Sequence, residues 1–198
     1  MHGIRVQRER RLALVRHGRS SHVQRGWLST ASFRAWRQAY ESAGIREAER
    51  VPSDIALLAD RASLLLSSDA PRALESAKLL ALKREVVATP LLRELELEGP
   101  DLGVLRLPLP GWAIAVGAQG LLQSVRRKFP SADDATRLDE LTAWLDELAQ
   151  QHALTLVVTH ASLRMQLAKR LVRSGWQADI GRRSLRHWSA WRFIRSVI

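Results

Sequence analysis

The stretch LALVRHGRSS, residues 12–21, runs from four apolar residues directly into an arginine, a histidine and a glycine. A second stretch, LTLVVTHASLR, residues 154–164, also ends an apolar run in a histidine. Short uninterrupted apolar runs are typical of strands that are buried on both faces of a parallel sheet. We therefore predict two buried strands, each followed at its carboxyl end by side chains that can hold an anion.

The bulk composition bounds the remaining possibilities. The 198 residues, 46% hydrophobic and 26% charged, suit a single domain over 1–198 with a full core. The chain has no cysteine, which excludes disulfides and thiolate metal sites. The apolar run near the start is too short for a signal peptide, and no window approaches a membrane span, so a cytoplasmic protein without membrane contact is expected.

The net charge of +11 is concentrated at the two ends of the chain. Such basic ends suit either nucleic acid or small anions. The sequence has no aromatic RNA-binding strand and no Cys/His finger, so we do not expect nucleic acid as the partner. A P-loop is also absent, and the six histidines lack the spacing of a zinc site. No metal and no cofactor are therefore expected.

Apolar runs and helical periodicities alternate along the chain. The predicted strands cover residues 11–15, 63–67, 86–88, 154–159 and 187–194, and the predicted helices cover 30–43, 70–82, 133–150 and 162–172. This alternation predicts a three-layer α/β/α sandwich with a mostly parallel central sheet. Residues 99–120 hold five glycines and three prolines, which predicts an irregular lid-like excursion that is helical only near its end.

Ligands of such sheets bind outside the carboxyl ends of the strands. Arg16 and Arg72 offer guanidinium forks that match phosphate oxygens, and His160 precedes a helix whose N-terminus favours anions. Gly18 would allow a tight turn and a close backbone approach to the ligand. A neutral imidazole at His17 could attack phosphorus and form a covalent phosphohistidine.

Phosphoryl transfer also needs a proton for the leaving oxygen. The segment LLRELELEGP, residues 91–100, offers Glu94, Glu96 and Glu98 after a predicted strand. One of them should act first as the acid and then as the base for water. The residues alone do not choose among the three.

Four blocks in this order resemble the histidine phosphatase superfamily, also called phosphoglycerate mutase-like. LALVRHGRSS is similar to its signature L-x-L-V-R-H-G-x-[ST], and LLLSSDAPRALESAKLLA resembles its SSDLxRAxxTA segment. PLLRELELEG is similar to the segment that holds its acid, and LTLVVTHASLR to the strand of its second histidine. Together the blocks span most of residues 11–173.

The resemblance implies a phosphoglycerate mutase-like fold and a metal-free mechanism through phosphohistidine. Carried over position by position, it implies that His17 is the nucleophile and Glu94 the proton donor. It implies further that the phosphoryl oxygens are bound by Arg16, Arg72 and His160, and that the pocket is also lined by Arg19 and Ser20.

Three departures from the family pattern bear on function. Val23 stands where many members carry Asn, and Ala161 replaces the usual Gly after the second histidine. Leu95 follows Glu94 where true mutases have Arg, and their longer substrate-recognition insert is not evident. We therefore expect a phosphomonoester hydrolase acting on a small phosphorylated metabolite or a phosphoprotein. The alternatives are a catalytically weak phosphate-binding module and mutase-type phosphoryl transfer.

Overall fold

A six-stranded mixed sheet lies at the centre of the molecule. The computed structural model describes residues 9–126, 129–179 and 184–196. The strands of this sheet are β1 (Glu9–Arg16), β3 (Leu64–Ser68), β4 (Val87–Thr89), β6 (Thr155–Thr159), β7 (Gln177–Asp179) and β8 (Ala190–Ser196), in the spatial order β4-β3-β6-β1-β8-β7. A separate two-stranded ribbon pairs β2 (Trp27–Leu28) with β5 (Leu107–Pro108).

The first four strands of that order are parallel, and β8 and β7 close the far side as antiparallel strands. Arg16 of β1 is opposite Thr159 of β6, and Ser67 of β3 is opposite Val158. The carboxyl ends of β1, β3 and β6 therefore finish level with one another, as the sequence predicted for one shared sheet edge.

Helices cover both faces of the sheet. They are α1 (Thr30–Glu41), α2 (Ser53–Asp60), α3 (Pro71–Ala81), α4 (Leu109–Val125), α5 (Ala132–Gln151) and α6 (Ala161–Arg173). Alternate residues of β1 enter different cores: Leu12 and Leu14 pack with α5 and α6, and Ala13 and Val15 pack with α2 and α3. Both faces are thus buried, which confirms the predicted α/β/α sandwich and explains why β1 lacks polar alternation.

The prediction for residues 99–120 is wrong in part. Residues 99–106 are irregular, but α4 occupies Leu109–Val125 despite three glycines. Pro110 lies in its first turn, where a missing N–H costs nothing. Trp112 is fully buried, stacks on Phe33 of α1 at 4.3 Å and donates to the Leu28 carbonyl at 3.0 Å. This packing stabilises a helix that local propensity disfavours.

The C-terminal strand also differs from the prediction. It begins at Ala190 rather than at residue 187. Trp188 has φ +60°, a left-handed conformation that interrupts an extended chain. His187 therefore lies in a turn before β8, and this turn is hydrogen-bonded to the carboxyl end of β1. α2 and β7 were not predicted from the sequence.

No helix within the described ranges has both the length and the apolar character needed to cross a bilayer.

Candidate active site

Two imidazoles meet at the shared sheet edge. His17 and His160 directly follow β1 and β6, and the His17 N–H donates to the Thr159 carbonyl at 3.0 Å, which continues the strand pairing by one residue. Their ring centroids are 5.1 Å apart with an interplanar angle of 59°. His17 is 1% exposed and His160 is fully buried. The predicted meeting of the two histidines is therefore present in the structure.

The tautomer of His17 follows from one hydrogen bond. Its Nδ1 lies 2.7 Å from the carbonyl oxygen of Gly18. A carbonyl only accepts, so Nδ1 carries the proton and Nε2 presents a lone pair. Within the described part of the chain Nε2 is buried without a hydrogen-bond partner. This is the nitrogen that a nucleophilic imidazole requires.

His160 is held by the end of β3. Its Nε2 lies 3.0 Å from the hydroxyl of Ser68, which also accepts from the Ala70 N–H at 3.2 Å. The Ser68 proton is thus available to Nε2, and in that arrangement Nδ1 carries the ring proton. Nδ1 is buried and, among the described residues, unpartnered. It can donate to an anion that approaches His17.

Burial keeps both rings neutral. Desolvation lowers the pKa of His17 well below 6.5, and the neighbouring His160, Arg16 and Arg72 lower it further. Desolvation, with Arg72 next in importance, lowers the pKa of His160 to about 3. A neutral His17 retains its nucleophilic lone pair at physiological pH, and the positive charges near it are those of Arg16 and Arg72.

Arg72 enters this site from the first turn of α3. Its side chain is fully buried, and its guanidinium lies 4.4 Å from the centroid of the Tyr40 ring. One terminal nitrogen donates to the Tyr40 carbonyl at 3.1 Å, and the other contacts the Glu41 carboxylate at 3.2 Å. Nε is buried without a partner in the described structure. Arg72 is near enough to both imidazoles to lower the pKa of each, but its terminal nitrogens are paired with Tyr40 and Glu41.

Arg16 is fixed by the turn before β8. Its guanidinium donates to the Leu185 carbonyl, and its buried Nε has no partner in the described ranges. Arg164, on α6, anchors the same turn by donating to the Ser184 carbonyl at 2.8 Å and to the Ser189 hydroxyl at 3.0 Å. Burial lowers the pKa of Arg164 to about 10, so it remains a cation at neutral pH.

Glu94 lies against the N-terminus of α6. Its Oε1 accepts from the backbone N–H of Ser162 at 2.7 Å and also from the Ser162 hydroxyl. His160, the N-cap residue, makes no side-chain capping bond, so Glu94 supplies the acceptor that this helix end needs. Its other oxygen, Oε2, lies 3.8 Å from His160 Nδ1.

The other two acidic candidates lie elsewhere. Glu96 and Glu98 are exposed and border a neighbouring cleft rather than the cavity above the histidines. Of the three glutamates that the sequence left open, Glu94 is therefore the one that the fold brings to the imidazoles.

Gly18 lies against Trp188, and this contact gives a structural reason for glycine at this position. A Cβ atom added there would lie 2.8 Å from the Trp188 indole, so the close approach that requires glycine is to a tryptophan. The Trp188 indole N–H donates to Glu49 at 2.8 Å, and the same Glu49 oxygen accepts from the Arg19 N–H at 2.9 Å. This brace fixes the backbone that follows His17.

A cavity of about 830 Å³ opens above the two histidines. Its lining includes every predicted site residue except the two imidazoles themselves, which are buried behind it: Arg16, Arg19, Ser20, Arg72 and Glu94. Arg19 is exposed, and Ser20 is buried and accepts from the His22 N–H at 3.2 Å. Val23, Leu95 and Ala161, the three positions that depart from the family pattern, also border this cavity.

Sequence reasoning missed His187 and Tyr40. The His187 ring lies 5.3 Å from the His17 ring, and its Nδ1 lies 3.1 Å from the His17 carbonyl oxygen. Burial lowers the pKa of His187 to about 4, and burial raises that of the Tyr40 phenol. His187 is 170 residues from His17 in the chain, and no local pattern marked it as part of the site.

Within the ranges that the structure describes, no cluster of three or more histidine, cysteine or acidic side chains is arranged to hold a metal ion.

Solved structures share this fold. A mycobacterial protein called hydrolase 1 matches with a TM-score of 0.57 and 18% identity, over 96% of this chain and 98% of that chain. Mycobacterial glucosyl-3-phosphoglycerate phosphatase in complex with inorganic phosphate matches with a TM-score of 0.51 and 23% identity, over 83% and 79%. Phosphoserine phosphatase from Entamoeba histolytica, in complex with 3-phosphoglyceric acid, matches with a TM-score of 0.52 and 14% identity, over 92% of this chain and 89% of that chain.

At these identities the likeness is one of fold, and it extends over most of each chain. The sequence itself matches no protein-family model and no curated protein.

The depressed pKa of His160 predicts a specific dependence of stability on pH. In the unfolded chain this histidine titrates near its ordinary pKa of 6.5, whereas in the folded chain it titrates at about 3. Between these values the unfolded state binds the extra proton, so stability is complete above about pH 6.5 and declines as the pH falls. His17 shifts in the same direction.

Replacing His160 with Gln, which can still bond Ser68, removes one of these protons. We expect the free energy of unfolding to fall less steeply in His160→Gln than in the wild type, by up to ~1.4 kcal/mol per pH unit between about pH 6 and pH 4. Urea denaturation at several pH values measures both slopes. Equal slopes would mean that His160 is not buried in its neutral form.

Proposed function

We propose that this chain, whose fold is that of the histidine phosphatase superfamily, is a phosphomonoester hydrolase that works through a covalent phosphohistidine on His17. One observation supports the proposal. His17 Nε2 and His160 Nδ1 are buried without a partner in the described part of the chain, their rings are 5.1 Å apart, and Arg16 and Arg72 are near enough to lower the pKa of both rings. Buried polar atoms are normally satisfied, so these nitrogens are suited to bind a tetrahedral anion.

The first chemical step is attack by His17 Nε2 on phosphorus, which forms an N–P bond as the P–O bond to the leaving alcohol breaks. Arg16, Arg72 and His160 would bind the non-bridging oxygens, whose charge arginine forks are suited to hold. The departing oxygen takes a proton from Glu94. Because Oε1 is occupied by Ser162, the proton to be transferred would sit on Oε2.

The second step reverses these roles. Glu94, now ionised, removes a proton from water, and the resulting oxygen attacks phosphorus and displaces His17. Inorganic phosphate leaves, and the imidazole returns to its neutral form. Two hydrogen bonds persist through both steps: the Ser162 N–H donates to Glu94 Oε1, and His17 Nδ1–H donates to the Gly18 carbonyl. They hold the reacting atoms in place.

Two alternative functions remain distinct from this proposal. A binding module would keep the anion cluster but show no turnover, and the replacements at Val23 and Ala161 motivate it. Mutase-type transfer would return the phosphoryl group to a second hydroxyl instead of water. The presence of a carboxylate beside His160 favours turnover over binding alone, because binding an anion does not require a nearby Glu94.

Replacing His17 with Ala should abolish turnover, because it removes the nitrogen that is proposed to attack phosphorus. We expect a loss of about 10³-fold or more in release of phosphate from p-nitrophenyl phosphate, with activity of the wild type surviving EDTA. His152→Ala, at the end of α5 and outside the site, is the matched control.

Acid quenching of wild type with labelled substrate should leave acid-labile phosphate on the protein, and His17→Ala should leave none. Labelled His17→Ala would place the nucleophile elsewhere, and wild type without turnover on any phosphomonoester would favour the binding module.

Replacing Glu94 with Gln should slow poor leaving groups far more than good ones, because only the former need a proton. We expect the rate of hydrolysis to fall by about 10²-fold or more for alkyl phosphates and to change little for p-nitrophenyl phosphate. Glu96→Gln, which neutralises an exposed carboxylate two residues away, serves as the control. If Glu96→Gln gave the selective loss and Glu94→Gln did not, the acid would be Glu96.

The pairing of Arg72 with Glu41 predicts opposite effects on anion affinity. Arg72→Ala should weaken vanadate inhibition by about 10-fold or more, since a charge-assisted pair is lost. Glu41→Gln should strengthen it by up to about fivefold, because an exposed carboxylate then no longer competes for Arg72. Glu47→Gln, the same charge change at another exposed position, should have less effect than Glu41→Gln. Unchanged affinity in Arg72→Ala would remove this residue from the phosphate site.

A further inference from the structure

The cavity above the phosphate site has a wall without polar side chains. α4 contributes Leu109, Pro110, Ala113, Val116 and Gly117 to the lining, and the segment after Glu94 contributes Leu95 and Leu97. A hydroxyl group turned toward this wall would give up its bonds to water and find no side-chain partner there. Each such loss weakens binding, so this wall disfavours a polyol or sugar.

The opposite wall is aromatic. Phe33, Trp36 and Tyr40 lie on one face of α1 and border the cavity. Trp36 stacks with Tyr40 at 5.1 Å and with the His22 ring at 5.7 Å, so the rings form a continuous surface. The neighbouring Arg37 is held by its bond to the Leu97 carbonyl. Aromatic faces of this kind bind rings and hydrocarbon by area and by stacking.

Two residues that line the cavity, Trp36 and His22, also hold polar atoms, Nε1 and Nε2, that are buried without a hydrogen-bond partner in the described structure. Gln24, Arg37 and Arg46 border the cavity as well. Most of the lining that comes from α1 and α4 is nevertheless apolar or aromatic, which suits an occupant that is mostly apolar.

We infer that the leaving group of the substrate is an aryl or hydrocarbon alcohol that lies between α1 and α4 while its phosphate reaches His17. The inference rests on the proposed phosphatase activity for its chemistry, but it concerns the cavity and can be tested by binding alone. It selects a small apolar phosphomonoester over a sugar phosphate and over a phosphoprotein.

Gly117 provides a direct steric test. It borders the cavity, and a Cβ added there meets no heavy atom within 4 Å, so a larger side chain would extend into open space. Exchange of a helical glycine also removes a propensity penalty, and the helix should be retained. Gly117→Phe should therefore fill the space between α1 and α4 without disturbing the sheet edge. Ala118→Phe, at the next exposed position and outside the lining, is the matched control.

The first experiment compares kcat/KM for 2-phenylethyl phosphate and glycerol 1-phosphate, two esters of unactivated alcohols. Wild type should prefer the phenylethyl ester by about 30-fold or more, the effect expected from burying one ring. In Gly117→Phe that preference should fall at least about tenfold, and in Ala118→Phe it should persist. Circular dichroism and the melting temperature verify that each variant folds.

The second experiment separates the inference from the catalytic proposal. Calorimetric titration of the full chain with 2-phenylethylphosphonate and 2,3-dihydroxypropylphosphonate measures affinity without turnover. Tighter binding of the phenylethyl compound, lost in Gly117→Phe, supports the inference even if no ester is hydrolysed, an outcome that would reject only the phosphatase. Equal binding of both compounds, a preference for glycerol 1-phosphate, or a higher kcat/KM for a phosphoserine peptide would overturn it.

Discussion

The site depends on the register between β1 and β6. Arg16 is opposite Thr159, and the next residue of each strand is a histidine, so parallel pairing delivers the two rings to the same edge at 5.1 Å. Side chains alternate between the faces of a sheet, and a slip of one residue would turn one ring toward the opposite face. The alternation of Leu12 and Leu14 against Ala13 and Val15, each pair in a different core, fixes that register.

The same arrangement creates an electrostatic cost that the fold has to carry. Two rings and the Arg72 guanidinium are removed from water, and several of their nitrogens have no partner in the described structure. Neutral imidazoles reduce this cost, since adding two positive charges beside Arg72 would be far less favourable. The low pKa values are thus a consequence of the same geometry that leaves the lone pair of His17 Nε2 unpaired.

The strands and the shared sheet edge could be predicted from the sequence because their signals are local. A short apolar run that ends in a charged or titratable residue is visible in the sequence, and the order of three such runs predicts that they end at one sheet edge. The family resemblance implied Glu94 as the acid, but the residue pattern alone did not choose among Glu94, Glu96 and Glu98. It depends on the contact between Glu94 and Ser162, which are 68 residues apart in the chain.

The errors have the same physical origin. Glycine and proline predicted irregular structure over residues 99–120, but the burial of Trp112 against Phe33 and Leu28 outweighs their weak helix propensity in α4. His187 was not predicted as a site residue, because it reaches the His17 carbonyl only through the left-handed turn at Trp188. Neither effect leaves a local signal, since each requires two segments that are distant in sequence to meet.

The two parts of the site are built on different supports. The residues proposed to bind phosphate follow strands that belong to the two main cores. The cavity walls lie on α1 and α4, and a separate cluster of Leu28, Phe33 and Trp112 joins these helices. Side chains on the cavity face of α4 can therefore change without altering the pairing of β1 with β6. In the proposed reaction, the strand ends would position the phosphoryl group and the helical pair would select the alcohol, so the two properties could vary separately in this fold.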